Sequence, residues 1–269
     1  MRLLIVIDDQ SHVLMGTCCL LNGAIRHLSM DSVIIAGTKK ALSKLQHAAN
    51  KFLSNSRIAW LSIKHLNNND PYSLKISAFQ KVLSDSHGID VLCYIDYDHI
   101  VASEIVFDVL KETIIVSSEH ATSNYFGPHY NTSLIVGCIN LLRVLLPHWI
   151  ETYLTLQNKI PNRHLEEIAF SEASRRVQVK VQHASLLLQG NFINKNIGGL
   201  FHYGGETACS SSIKSFLAQM WPKNKNDLTR QVIDSIESHI FENIIGQLDR
   251  VHPTVVASMA PRAIDDERI

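Results

Sequence analysis

The sequence has no excess of either charge. Its 25 Lys and Arg residues are balanced by 25 Asp and Glu residues, so the formal net charge is +0. A protein that binds nucleic acid through phosphate contacts carries a basic excess, and its absence argues against such a partner. The 269 residues suffice for one large domain, or for a domain with an appendage.

Cysteine is scarce, and long apolar runs are missing. The five cysteines are odd in number and scattered, and no pair has the spacing of zinc ligands. A reduced, cytosolic setting is therefore expected, because disulfides persist mainly in oxidising compartments. Near the N-terminus only the apolar run Leu3–Ile7 precedes Asp8 and Asp9. That run is too short for a signal sequence or a membrane span, so we expect a cytoplasmic protein without a transmembrane segment.

Glycine-rich stretches are also few. Residues 198–205 hold four glycines around an apolar strand end, among them Gly204 and Gly205. This stretch is not a dinucleotide fingerprint, and no phosphate-loop lysine follows its last glycine. The glycines indicate instead a backbone that a ligand approaches closely.

The sequence does contain a regular alternation of apolar runs and helical patterns. The runs Leu3–Ile7, Ser32–Ala36 and Ile58–Ile63 predict strands, and residues 13–28 and 38–53 between them predict amphipathic helices. This order predicts an α/β fold with a mixed, mainly parallel sheet flanked by helices. Ligands of such sheets bind beyond the carboxyl ends of the strands, where Asp8 and Asp9 lie.

Further elements follow along the chain. The clearest amphipathic helix is predicted over residues 227–248, where Leu228, Val232 and Ile236 repeat at helical spacing. We expect it to pack on the domain or on a second copy of the chain, which would then form a homodimer. Other predicted helices cover residues 71–84, 104–111, 140–156 with an interruption at Pro147, and 161–174, and other predicted strands cover 91–95, 114–117, 133–138 and 177–181, with a turn-rich segment at 118–129.

The stretch Val91–Val101 carries the principal candidate site. Val91–Ile95 has the apolar, β-branched and aromatic content of a buried strand, and Asp96 and Asp98 follow it one residue apart. Because an isolated buried charge is very costly, these carboxylates either lie on an exposed loop or are neutralised by a partner. Two hard oxygen donors, completed by phosphate oxygens, suit Mg²⁺ or Mn²⁺. The alternative is a polar turn at the strand end, since Asp is a common turn residue.

Six short motifs in this order resemble the retaining nucleotide-sugar glycosyltransferases of the GT-A fold. The nearest pattern is that of glycosyltransferase family 8, with a secondary likeness to family 34, and it covers about residues 1–217. The motifs are LLIVIDDQ, LKISAF, YIDYDHIV, HYNTSLIV, HLEEIAFSEA and LFHYGGETAC.

The resemblance implies a catalytic GT-A domain over residues 1–222 and a C-terminal helix and tail over 223–269. It implies metal-dependent transfer of a sugar from a UDP-sugar, with retention of configuration. The acceptor, which the sequence does not identify, is a glycan, a lipid-linked molecule, a protein or a small molecule. Mn²⁺ or Mg²⁺ would be held by Asp96, Asp98 and His202, and an imidazole ligand suits Mn²⁺ somewhat better.

The resemblance also assigns roles to single residues. Lys75 is the basic residue that reaches the donor, and Asn131 lies beside the donor sugar or the acceptor. Glu166 and Glu167 open the acidic helix as candidate catalytic residues. Further donor contacts are expected at Ile7, at Asp8 or Asp9 for the ribose or base, and at Tyr97, Gly204 and Gly205, with Glu119, His120 and His129 as a wall for the acceptor.

Two departures from the family support a different class of function: Ile168 stands in place of the third acid of the acidic helix, and the Lys-Pro-Trp motif is absent. The family's Lys-Pro-Trp is Ala208-Cys209-Ser210 here, which shifts contact with the diphosphate to Lys214 or to a helix N-terminus at Ser210–Ser212. The second hypothesis is therefore a non-catalytic nucleotide-sugar-binding or scaffold protein. A third class, the sugar-phosphate nucleotidylyltransferases, has a glycine-rich basic loop after its first strand, whereas Asp8–Gly16 has no Lys or Arg and one Gly.

Overall fold

The described part of the chain alternates strands and helices. The computed structural model describes residues 1–9, 11–49, 58–66, 70, 72–85, 91–101, 104–123, 127–157, 159, 164–184, 189–191 and 200–202. Its elements are β1 Arg2–Ile7, α1 Ser11–His27, β2 Ser32–Gly37, α2 Lys39–Ala49, β3 Ile58–Ser62, α3 Ser73–Asp85, β4 Val91–Ile95, β5 His99–Val101, β6 Thr113–Ser123, β7 Gly127–Cys138, α4 Ile139–Leu156, α5 Leu165–Val177, β8 Lys180–His183, β9 Gln189–Asn191 and β10 Leu200–His202.

The main sheet has seven strands in the order β3-β2-β1-β4-β7-β6-β8. The pairs β1–β2, β2–β3, β1–β4 and β6–β8 are parallel, and β7 runs antiparallel to both β4 and β6. The prediction of an α/β protein with a mixed, mainly parallel sheet is confirmed. From β1 the chain moves outward through β2 to β3 and then returns, so that β4 lies on the other side of β1.

The two faces of the sheet carry separate apolar layers. In β1 the side chains of Leu3, Ile5 and Ile7 pack with α1 and α2, whereas Leu4 and Val6 pack on the face covered by α3, α4 and α5. A strand buried on both faces reads as a continuous apolar run, which is why β1 and β4 are recognisable in the sequence. Because both strands are packed on two faces, the residues that follow them, Asp8 and Asp96, start from fixed positions at the edge of the sheet.

A second, three-stranded sheet follows β4 directly and has the order β5-β10-β9. β5 begins one residue after Asp98, and it pairs antiparallel with β10, so that His99 lies opposite His202 and Val101 opposite Leu200. This pairing brings a late part of the chain back to the turn that contains Asp96 and Asp98.

The prediction of a helix over residues 104–111 is wrong. This segment is extended, and Ile105 forms a parallel bridge to Leu28 at the end of α1, with its backbone N–H 3.3 Å from the carbonyl oxygen of His27. Burial alternates along it, because Ile105 is buried while Val106 and Leu110 are exposed. Buried and exposed side chains thus alternate every two residues along this segment, as in an extended chain and not as in a helix.

Three other boundaries need correction. α4 is continuous through Pro147, and both this residue and Arg143, whose carbonyl oxygen loses its helical N–H partner, are exposed. The strand predicted at 177–181 begins only at Lys180, since Gln178 adopts a left-handed conformation (φ 56°) that ends α5. Of the segment predicted as turn-rich, residues 118–123 belong to β6 and 127–129 to β7, with His120 opposite His129, whereas residues 124–126 lie outside the described part of the chain.

The predicted C-terminal helix over 227–248, and the division of the chain at residue 222, lie outside the described residues. Within the described part, none of the helices has both the length and the apolar character needed to cross a membrane.

We expect Gly37→Ala to destabilise the protein by about 1–3 kcal/mol, because it overpacks the end of β1. A Cβ atom on Gly37 would lie 2.7 Å from the backbone oxygen of Ile7, which cannot move without displacing Asp8. Gly137→Ala is the matched strand substitution, because its Cβ would meet the side chain of Ile114 at 3.3 Å. Urea unfolding of both variants tests this, and an equal loss in the two would contradict it.

Candidate active site at the carboxyl edge of the sheet

Acidic side chains collect where β1 and β4 end. The two strands are parallel neighbours, so Asp8 after β1 and Asp96 to Asp98 after β4 leave the sheet at the same edge. The N-terminal half of β7 runs along this edge, because Ile95 pairs with Leu134 and the residues before Leu134 extend past the end of β4. The first turn of α5 packs over this half of β7 and adds two further carboxylates.

The Asp96–Asp98 turn is held by both backbone and side chains. The Asp96 N–H donates to the carbonyl oxygen of Ser133 at 2.8 Å, and the hydroxyl of Tyr94 donates to the Asp96 carboxylate. Asp98 is 4% exposed, and its carboxylate lies 3.2 Å from Nδ1 of His99. The turn is therefore neither a mobile loop nor a solvated strand end.

Tyr97 lies between the acids of this edge. Its partial burial, followed by the negative charges of Asp98, Asp96 and Asp8, raises the pKa of the Tyr97 phenol above its ordinary value. Acids that follow both strands thus act on one phenol. The phenol stays protonated at neutral pH and can donate a hydrogen bond in this acidic setting.

Lys75 of α3 points its ammonium into the cluster. Its Nζ donates to the carbonyl oxygen of Thr132 at 3.2 Å, to Oγ1 of Thr132 at 3.1 Å and to Oε2 of Glu166 at 3.0 Å, and it lies 3.7 Å from Oδ2 of Asp96. It also lies 5.0 Å from the centre of the Tyr94 ring. Burial alone lowers the pKa of Lys75, but the charges of Asp96, Glu166 and Glu167 outweigh it and raise that pKa.

Glu166 is the most deeply buried carboxylate of the site, with 3% of its surface exposed. The hydroxyl of Thr132 lies 3.0 and 2.9 Å from its two oxygens. Burial raises the pKa of Glu166 to about 7, although Lys75 and Thr132 lower it and only Glu167 acts in the same direction as burial. Glu166 therefore changes its charge near neutral pH, inside a network that reaches Asp96 through Lys75.

Glu167 turns towards two imidazoles instead. Its Oε2 lies 3.0 Å from Nδ1 of His164 and 3.5 Å from Nε2 of His129, and its Oε1 lies 3.4 Å from the backbone nitrogen of Thr132. Asn131 is half-buried on the neighbouring stretch of β7, where its Oδ1 accepts the N–H of Ser133 at 2.8 Å.

The two acids at the end of β1 differ in their surroundings. The carboxylate of Asp9 forms ion pairs with Lys40 and Lys44 of α2, and Lys44 also donates to the Asp9 carbonyl oxygen at 2.9 Å. The hydrogen bond from Lys40 lowers the pKa of Asp9. Asp8, by contrast, adds to the charges that raise the pKa of Tyr97, which favours Asp8 over Asp9 for contacts made inside the site.

The three residues predicted to hold a metal are Asp96, Asp98 and His202. Asp96 and Asp98 provide hard oxygen donors, and the register of β5 and β10 brings His202 opposite His99, next in sequence to Asp98. The side chain of His202, together with Gly204, Gly205 and Lys214, lies outside the described residues. Among the described side chains, the group of three donors close enough to share an ion is His129, His164 and Glu167.

Neither the protein-family models nor the curated proteins with which the sequence was compared gave a match. The functional inference therefore depends on the residues and their geometry.

Three contributors to this cluster, Thr132, His164 and Tyr94, were not predicted from the sequence. Thr132 lies between Asn131 and the apolar run that follows, and a polar residue at this position is a sign that it belongs to the same site. His164 precedes Glu167 by three residues, a spacing that brings two side chains together on a helix. Tyr94 was read only as part of a buried strand, yet its hydroxyl holds Asp96.

We expect the free energy of unfolding to fall as the pH rises from about 4.3, the ordinary pKa of Glu, to about 7. In this window the folded protein keeps a proton on Glu166 that the unfolded chain releases, so the slope is at most about 1.4 kcal/mol per pH unit. Glu166→Gln removes this slope, and Glu172→Gln, an exposed change on the same helix, keeps it. Urea unfolding between pH 5 and 8 measures both, and a slope unchanged in Glu166→Gln would contradict the assignment.

Proposed function

We propose that this chain is a metal-dependent glycosyltransferase that transfers a sugar from a UDP-sugar to an acceptor hydroxyl. The observation that carries the proposal is the position of Asp8 and of the Asp96–Asp98 turn after two adjacent parallel strands. Between these strands the order of the sheet reverses, because β2 and β3 lie on one side of β1 and β4 on the other. In open α/β sheets, nucleotides bind in the crevice at such a reversal.

The residues of this edge suit a nucleoside diphosphate sugar. Asp8 is positioned to accept hydrogen bonds from ribose hydroxyls or the base, and Tyr97 offers a phenolic donor between the acids. Asp96, Asp98 and His202 would hold Mn²⁺ or Mg²⁺, which would supply a Lewis acid to neutralise the charge of the diphosphate leaving group. Retention of configuration, and the contact of Asn131 with the donor sugar or acceptor, follow from the resemblance to glycosyltransferase family 8.

Lys75 and Glu166 form an ion pair beside Asp96 and affect the net charge of the site. Lys75 keeps its positive charge at neutral pH and faces Asp96, so it limits the repulsion among the carboxylates. In the overall reaction the anomeric carbon–oxygen bond to the diphosphate breaks and a bond to the acceptor oxygen forms. UDP leaves with the electron pair, and the proton of the acceptor hydroxyl passes to the departing diphosphate or to solvent. Glu166 titrates near neutral pH, but its burial argues for an electrostatic role rather than direct contact with the acceptor.

The contacts of Lys75 also favour a second candidate. Its ammonium is engaged by Thr132 and Glu166, so it is not poised on the described surface as a diphosphate ligand. Together with the missing Lys-Pro-Trp, this supports a nucleotide-sugar-binding protein without turnover. The two candidates share the same site and differ in whether the anomeric bond is broken.

Donor hydrolysis separates the two candidates. Isothermal titration with UDP is expected to show binding that requires Mn²⁺, and NMR with a panel of UDP-sugars is expected to show Mn²⁺-dependent release of UDP from at least one donor. Binding with no turnover of any donor, with and without simple acceptor sugars, would favour the binding protein. Absence of Mn²⁺-dependent UDP binding would contradict both.

A further inference from the structure

Two imidazoles and a carboxylate meet at the N-terminal end of α5, beside the Asp96–Asp98 turn and on different side chains from the proposed donor metal ligands. His129 comes from β7, His164 precedes the first residue of α5, and Glu167 lies in the first turn of that helix. Nε2 of His129, Nδ1 of His164 and Oε2 of Glu167 lie within 4.8 Å of one another. Three different side chains thus direct donor atoms towards a single point.

Two of the three spacings between these atoms match those of ligands around one small cation, and the third is below 4.8 Å. Zinc binds His nitrogen and carboxylate oxygen at about 2.0–2.2 Å, so two ligands of a tetrahedral site lie about 3.3 Å apart. The carboxylate oxygen Oε2 of Glu167 is 3.0 Å from the His164 nitrogen and 3.5 Å from the His129 nitrogen. Both distances are within a few tenths of an ångström of the tetrahedral edge.

The surroundings orient these ligands while leaving one side open. His129 is buried. The second oxygen of Glu167 accepts the backbone N–H of Thr132, and this contact orients the carboxylate. The side chain of His164 is 42% exposed, which gives an ion access from solvent. Two His and one Glu form the ligand set of several catalytic zinc sites, in which water takes the fourth position.

We propose that His129, His164 and Glu167 form a second metal site, selective for Zn²⁺ or a similar transition-metal ion, with an exchangeable fourth ligand. It differs in chemistry from the Asp96–Asp98 site, because imidazole suits Zn²⁺ whereas carboxylate and phosphate oxygens suit Mg²⁺ and Mn²⁺. The bound ion ties β7 to the start of α5. The inference does not depend on the glycosyltransferase proposal.

Titration with Co²⁺, a coloured substitute for Zn²⁺, tests the site directly. Metal-free full-length protein is expected to bind one Co²⁺ with the strong visible absorption of a four-coordinate ion, and Zn²⁺ is expected to abolish that band by displacement. The band is expected to survive in Asp96→Asn/Asp98→Asn. This result separates the second site from the proposed donor site, because failure of UDP binding leaves the Co²⁺ band unchanged.

Single-ligand variants provide the control. Glu167→Gln and His164→Asn are expected to weaken Co²⁺ binding at least tenfold, whereas Glu172→Gln, an exposed change on the same helix, leaves it unchanged. Zn²⁺ is also expected to raise the melting temperature of the parent protein but not of Glu167→Gln, since binding to the folded state stabilises it. Absence of the four-coordinate band, or a band unaffected by Glu167→Gln, would overturn the proposal.

Discussion

We expect Lys75→Met to lower the free energy of unfolding by about 3–5 kcal/mol at pH 8, because it leaves Glu166 buried without its cation. The Lys75 ammonium and the Glu166 carboxylate lie 3.0 Å apart, with side chains 12% and 4% exposed. At pH 5.5 the loss is expected to be smaller, since Glu166 then takes up a proton and its buried charge is removed. Urea unfolding at the two pH values measures this difference.

The matched control is Lys81→Met, on the same helix. Lys81 pairs with Asp85 at 2.7 Å, but both side chains are about half exposed, so its loss is expected to change stability by less than about 1 kcal/mol. In the double variant Lys75→Met/Glu166→Gln much of the stability is expected to return, because neither buried charge remains. A double variant as unstable as the sum of the single ones would show that the two side chains are not coupled.

Asp96→Asn/Asp98→Asn is expected to weaken Mn²⁺-dependent binding of UDP by at least about 100-fold. Loss of residues that merely orient metal ligands already costs about 10–100-fold, and this variant removes two charged ligands. Asn keeps the shape of Asp, so the fold is retained, and circular dichroism with thermal unfolding checks this. Isothermal titration with UDP in the presence of Mn²⁺ measures the effect.

Asp108→Asn is the control for this variant. Asp108 is exposed on the extended segment that bridges to the end of α1, away from Asp96, so its substitution is expected to leave UDP binding unchanged. Equal UDP affinity in the parent protein and in Asp96→Asn/Asp98→Asn would exclude the Asp96–Asp98 turn as the nucleotide site.

The sequence was most informative where one strand is buried on both faces. β1 and β4 are continuous apolar runs, so their positions, their ends and the acids that follow them could all be predicted. The parallel order also followed, because helical patterns separate the first strands. What the sequence did not reveal was the conformation of residues 104–111, where Ile105 is buried against α1 and its neighbours alternate in exposure.

Contacts between distant residues could not be predicted. Lys75 and Glu166 are 91 residues apart in the chain, and nothing local distinguishes an acid buried beside a lysine from one on a solvated first turn. The meeting of His129 with Glu167 likewise depends on how α5 packs over β7. Asp96 and Asp98 were identified because their chemistry is concentrated in three successive residues.

The most direct test is a crystal structure with UDP and Mn²⁺, with the metal located by its anomalous scattering. We predict a single strong peak between the carboxylates of Asp96 and Asp98, at a coordination distance of about 2 Å, with the diphosphate on its other side and the ribose or base near Asp8. A structure in which UDP binds elsewhere, or in which neither carboxylate contacts the ion, would contradict the proposed function.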